Sequence, residues 1–178
     1  MANIQDAKIG SAVATRSGAK AASLTSGLGT PLCYTTPEPL HVTFECQGWQ
    51  GNEERQNLVL QLDEPATAAF RQMQDELREK ASKQLNLDPR DFNPIIKESE
   101  RGCNVKVKVQ RVGHYATKFW TPDRQLMPDR PEELQYTRCR VRIHLSSIWV
   151  QNRSWGVVLQ ATDCEVHAGL EQQAQCPF

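Results

Sequence analysis

Two segments of this chain alternate apolar and cationic side chains with a period of two, and that pattern constrains the fold more than any other feature. In "CNVKVKVQRV", residues 103–112, Val105, Val107 and Val109 fall on one side of an extended backbone, and Lys106, Lys108 and Gln110 fall on the other. In "TRCRVRIHLSSIWV", residues 137–150, Cys139, Val141, Ile143 and Leu145 share one side, and Arg138, Arg140 and Arg142 share the other. Successive side chains of a β-strand point to opposite faces, whereas a helix would scatter these residues around its circumference. Each segment therefore has one wall for a core and one positively charged wall. A chain built on such strands is β-rich, and its sheet must curl or layer to cover the apolar wall.

Other segments extend the pattern. Leu40, Val42, Phe44 and Cys46 alternate with His41, Thr43 and Glu45, and Leu58, Leu60 and Leu62 alternate again after the polar loop "QGWQGNEERQ". Together these predict a hairpin. "HYATKFW" fits a short strand, residues 121–137 fit a long loop with three prolines, and "WGVVLQATDCEVHA" fits a last strand after the turn "QNRS". The expected total is five or six strands. One helix is expected: Asp63, Glu64 and Pro65 mark its start, Ala66, Phe70, Met73, Leu77, Ala81 and Leu85 follow helical spacing, and Pro89 lies beyond its end. Its apolar stripe is core packing rather than a cofactor site.

Residues 1–30 are rich in Ala, Ser, Gly and Thr and contain no aromatic residue. Residues 1–37 are accordingly expected to form a flexible arm, 38–168 a single domain, and 169–178 a tail. The expected class is mainly β (α+β), a small antiparallel barrel or curled sheet with one amphipathic helix. No apolar run has the roughly 20 residues a membrane helix needs. With no apolar leader core and no CxxC pair among the six cysteines, an intracellular protein with reduced thiols is expected.

The formal net charge is zero, but the charges are unevenly placed. Residues 101–155 carry eleven basic and four acidic side chains, while residues 38–100 carry seven basic and thirteen acidic ones. A concentrated basic block is the electrostatic footprint of a polyanion binder. A sheet edge decorated with Lys and Arg against aggregation would use the same residue types. Two further observations favour binding. Basic strand faces packed as neighbours would oppose like charges, at about 0.2–1 kcal/mol per pair, a cost that bound phosphates offset. Aromatic residues also accompany the block: Tyr115, Phe119, Trp120, Tyr136, Trp149 and Trp155. Single-strand binders combine a cationic groove with aromatic faces on which bases stack. Tyr115, Phe119 and Trp120 beside Lys118 are the expected stacking residues, Trp49 is a further one, and at least one of Trp149 and Trp155 belongs to the core.

Catalytic and metal-binding signatures are weak. The sequence has no GxSxG, HExxH, P-loop or GxGxxG motif. His41 with Cys46, and Cys139 with His144, are five residues apart, a spacing that puts them on opposite faces of a strand. No cofactor, no metal and no enzymatic activity are expected.

The basic "CNVKVKVQRV…TKFW", the Pro-rich loop and "TRCRVRIHLSSIWVQNRSWGVVLQATDCEV" together resemble viral and phage single-stranded DNA-binding proteins with an OB-type fold. The resemblance covers residues 39–167 and rests on the aromatic strand end Ile148-Trp149-Val150, the polar turn and the closing strand Trp155-Gly156-Val157-Val158-Leu159. The helix departs from that pattern by following the second strand rather than the third. The resemblance implies sequence-tolerant coating of exposed strands, DNA before RNA, during replication or recombination. Lys106, Lys108, Arg111, Lys118, Arg138, Arg140 and Arg142 would meet phosphates, and Tyr115, Phe119 and Trp120 would stack bases. The terminal Pro177-Phe178 is similar to tips that recruit replication proteins, although Glu171 is the only acid among the last ten residues. Self-association into a homo-oligomer is expected from unpaired strand edges. The competing expectation is a viral coat or assembly protein with a basic surface facing nucleic acid.

Overall fold

The computed structural model describes residues 4–16, 18–46, 55–100, 102–128, 131 and 134–167. In chain order the elements are β1 (Lys8–Ile9), β2 (Val13–Ala14), β3 (Lys20–Thr25), β4 (Cys33–Thr35), β5 (Leu40–Cys46), β6 (Arg55–Gln61), α1 (Glu64–Leu85), a 3₁₀ turn (Pro89–Asp91), β7 (Ile96–Ser99), β8 (Gly102–Gln110), β9 (Lys118–Trp120), β10 (Arg138–Gln151) and β11 (Ser154–His167). The class is mainly β with one α-helix among the described residues.

The backbone of the architecture is the β10–β11 hairpin, paired antiparallel from Arg138↔His167 to Gln151↔Ser154. Asn152 turns the corner in the left-handed region at φ 55°, a conformation its short polar side chain tolerates. Along its other edge β10 pairs in succession with β5, β4 and β3. β5 pairs with β6, β6 with β8, and β8 meets β11 in parallel at Gln160↔Lys108. The ladders β5–β6–β8–β11–β10 thus return to their starting strand, with short joins at β8–β11 and β10–β5.

Three bulges interrupt the alternation, and each places a hydroxyl residue in the bulge. Thr43 in β5 donates from Oγ1 to Val59 O (3.1 Å), Ser146 in β10 from Oγ to Val158 O (3.5 Å), and Thr162 in β11 from Oγ1 to Arg142 O (3.2 Å). The hydroxyl gives an interrupted ladder a substitute bond. In β10 and β11 the extra residue also shifts the phase of burial: Leu145 and then Ile148 face the core of β10, and Ala161 and then Cys164 that of β11.

The core gathers the apolar walls of these strands against α1. Val105, Val107 and Val109 of β8 and Cys139, Val141, Ile143 and Leu145 of β10 are all buried. So are Ala66, Phe70, Met73, Leu77 and Ala81, the stripe expected for the helix. Asp63 caps α1 by accepting from Ala66 N at 2.8 Å, and Asn86 ends it in the left-handed conformation. Phe70 meets the Tyr34 ring edge-on with centroids 5.1 Å apart. Among the described residues no helix is long and apolar enough to cross a membrane.

Two expectations are corrected. The described part of residues 1–37 is not a flexible arm: it forms β1 to β4, and Ile4, Ala7, Ala22, Leu24, Leu32 and Tyr34 lie in the core. Small residues can pack where strands approach closely, so low bulk alone does not imply mobility. The strand total among the described residues is eleven, not five or six, because short strands such as β7 bury a single residue, Ile96, and leave little periodic signal.

Candidate nucleic-acid interface

Four strands form the outward surface that carries the sequence-predicted cations. β11 runs in the middle, β10 lies on one side, and β8 followed by β9 lies on the other. Register sets the rows across this surface: Lys108–Gln160–His144, then Lys118–Asp163–Arg142, then Trp120–Glu165–Arg140, and finally His167–Arg138. Alternate residues on the same strands, Val109, Phe119, Val141 and Cys164, are buried, so the residues named in the rows face outward.

Local chemistry fixes β9 beside β11. Thr117 donates from Oγ1 to Ala161 O at 2.7 Å and accepts from Gln110 N at 3.1 Å, joining the end of β8 to β11. Gly113, at φ 88°, allows the intervening turn. The Gln160 amide donates to Tyr115 O at 3.2 Å, tying that turn down while the Tyr115 ring stays exposed. Beyond β9, Gln125 N donates to Thr121 Oγ1 (3.1 Å) and Arg124 sits at φ 62°. That conformation is unusual for a side chain of this size.

These elements surround an open cleft of about 320 Å³ lined by Trp120, Arg124, Arg140, Arg142, Asp163 and Glu165, with Thr35 from β4. Trp120 is half-buried, and its indole Nε1 donates to Asp163 Oδ1 at 3.1 Å. The other oxygen of Asp163 lies 2.9 Å from Thr162 Oγ1, whose one proton is shared between this carboxylate and Arg142 O. Glu165 Oε1 lies 2.7 Å from His167 Nε2, and the Glu165 side chain is 22% exposed. Arg140 donates from Nε to Thr36 O at 3.2 Å, while Arg142 and Arg138 are exposed. Burial, and secondarily the charge of Arg142, lower the pKa of His144, so that imidazole is neutral near pH 7.

The expected residues divide into several groups. Lys118, Trp120, Arg138, Arg140 and Arg142 share one surface. Lys108 continues it beside Gln160, and Lys106 extends it along β8 opposite Val59. Arg111 and Tyr115 are exposed on the β8–β9 turn. Phe119 is corrected: at 4% exposure it is a core residue and cannot offer a stacking face. The two cationic strands do not oppose one another as like charges, because β11 separates them and sets Asp163 and Glu165 against Arg142 and Arg140. Trp155 is core, buried against Phe92 (4.7 Å) and donating to Asp88 O at 2.7 Å, and Trp149 lies over Gly156. Cys139 faces the core while His144 faces outward. Trp49 and Phe178 lie outside the described residues.

Sequence reasoning missed Asp163, Glu165 and Arg124. The two acids stand at alternate positions of β11, which was a local signal, but the arginines they face are set by long-range register. Comparison with models of protein families gives no match, and no curated protein matches the chain.

Proposed function

We propose that this protein binds single-stranded nucleic acid, DNA before RNA, through the outward surface of β8, β9, β11 and β10, without catalysis. The observation that carries the proposal is the pair of adjacent rows Lys118–Asp163–Arg142 and Trp120–Glu165–Arg140. They put a half-buried indole on β9 two residues from Lys118 and across β11 from Arg140 and Arg142, a combination that lets a base stack while neighbouring phosphates are neutralised. The cleft beside Trp120, about 320 Å³, has room for a single unstacked base. Lys106, Lys108 and Arg111 extend a path for the backbone along β8, and Tyr115 offers a second aromatic face.

The ladder circuit supports an OB-like reading of the fold. Five strands, β5, β6, β8, β11 and β10, pair in a ring that is antiparallel except at β8–β11. The OB fold is a partly open five-stranded Greek-key barrel whose face binds oligonucleotides. The helix lies after the second strand of the ring rather than the third. On this reading the protein coats exposed strands and self-associates along them.

Intrinsic fluorescence tests the proposal. Titration with an oligo-dT strand should quench part of the tryptophan emission, and Trp120→Phe should remove most of that quenching. Unchanged emission at saturating oligonucleotide, or quenching that survives Trp120→Phe, would count against the proposal.

A further inference from the structure

The carboxylates in the cleft are unexplained by phosphate binding alone. Asp163 and Glu165 sit between cationic strands, on the surface that would face the nucleic acid, and each would repel a phosphodiester. Glu165 is also largely withdrawn from water, with 22% of its side chain exposed. Carboxylates placed there suit a ligand that brings hydrogen-bond donors.

We propose, building on the single-strand reading above, that this cleft accepts an unstacked guanine base. Guanine carries two adjacent donors, N1–H and N2–H₂, that match the two oxygens of one carboxylate, and two adjacent acceptors, O6 and N7, that match a guanidinium. Adenine and cytosine offer a carboxylate only their exocyclic amine, with a ring acceptor beside it. Thymine offers one N–H flanked by carbonyls, which a carboxylate repels. Glu165 is the reading group. His167 contacts its Oε1, but a carboxylate has about four acceptor sites, so both oxygens retain capacity. Asp163 acts as a positioning residue: its oxygens hold Trp120 Nε1 and Thr162 Oγ1, which fixes the indole as the stacking wall. Arg140, Arg142 and Arg124 supply donors for O6 and N7 and for the flanking phosphates. A volume of about 320 Å³ is at the small end of ligand pockets, suited to one base.

The test is anisotropy titration of labelled DNA strands of uniform length: all-dT, and the same strand with one central dG, dA, dC or deoxyinosine. Deoxyinosine lacks only the N2 amine. The dG strand should bind about tenfold tighter than all-dT, with deoxyinosine falling between them. Glu165→Gln should bring dG within about twofold of all-dT, and because it removes a carboxylate that repels phosphodiesters, all-dT itself should bind somewhat more tightly. If all-dT binds but dG brings no gain, the guanine assignment is overturned and the single-strand reading stands. The assignment is also overturned if deoxyinosine binds as tightly as dG, a comparison that needs no protein variant. If no strand binds, the functional reading itself fails, and the guanine assignment fails with it.

Discussion

The indole Nε1 of Trp120 donates to the carboxylate of Asp163 at 3.1 Å, across the parallel pairing of β9 and β11. The bond orients a half-buried aromatic ring at the mouth of a cleft between arginines. Trp120→Ala should therefore lower affinity for single strands by about 1–3 kcal/mol, some five- to 150-fold, as measured by anisotropy. Asp163→Asn keeps an acceptor but loses the charge assistance, so it should cost less than Trp120→Ala. Equal losses from both variants would show that Asp163 does more than hold the ring.

Arg138 and Arg142 are exposed, so Arg138→Gln with Arg142→Gln should leave thermal stability nearly unchanged. In the same variant the slope of log K against log salt should become shallower by about 0.7 for each phosphate no longer neutralised. Arg140 differs because its Nε donates to Thr36 O at 3.2 Å. Arg140→Gln should add a stability cost of about 0.5–1.5 kcal/mol, measurable by urea denaturation. A large stability loss from the exposed pair would point to structural ion pairing instead.

Tyr115, on the β8–β9 connection, and Phe119, in β9, should separate cleanly. Phe119 is 4% exposed and Tyr115 71% exposed. Phe119→Ala should destabilise the fold by about 3–5 kcal/mol through a core cavity. Tyr115→Ala should leave stability within about 0.5 kcal/mol, with any effect appearing in oligonucleotide affinity.

Burial raises the pKa of the Cys139 thiol to about 11 from its ordinary value of 9.0, an effect partly offset by the Thr137 hydroxyl. The sign follows from proton counts. Between pH 9 and about 11 the folded state keeps the proton that the unfolded state releases. Stability is therefore complete below pH 9 and falls as pH rises through that window, by about 2–3 kcal/mol in all. Cys139→Ala should flatten the decline in a comparison of urea midpoints at about pH 8, below that window, and about pH 10.5, within its upper half. An unchanged decline would assign it to other groups.

Much of the fold was legible because its signals are local. Ala66, Phe70, Met73, Leu77 and Ala81 recur at helical spacing, and all five are buried. The alternations in β8 and β10 likewise matched burial residue by residue up to the bulge at Ser146. The same period of two in Lys118-Phe119-Trp120 would have put Phe119 inward, but a three-residue strand gave too short a run to trust. β3 was missed because its buried residues are Ala22 and Leu24 within a small-residue stretch, where composition suggests mobility and tertiary packing decides. The acids of the cleft were the hardest to place. Nothing near Asp163 or Glu165 in the chain reveals that Arg142 and Arg140 face them, because that pairing depends on the register of a hairpin and on the bulge at Thr162.

The central claim is that the surface of β8, β9, β11 and β10 binds single strands. Its most direct test is an anisotropy titration of the purified protein with one labelled oligonucleotide, single-stranded and as a duplex, at two salt concentrations. Tighter binding of the single strand is expected, with affinity falling steeply as salt rises. Absent binding, salt-insensitive binding or a preference for the duplex would contradict it.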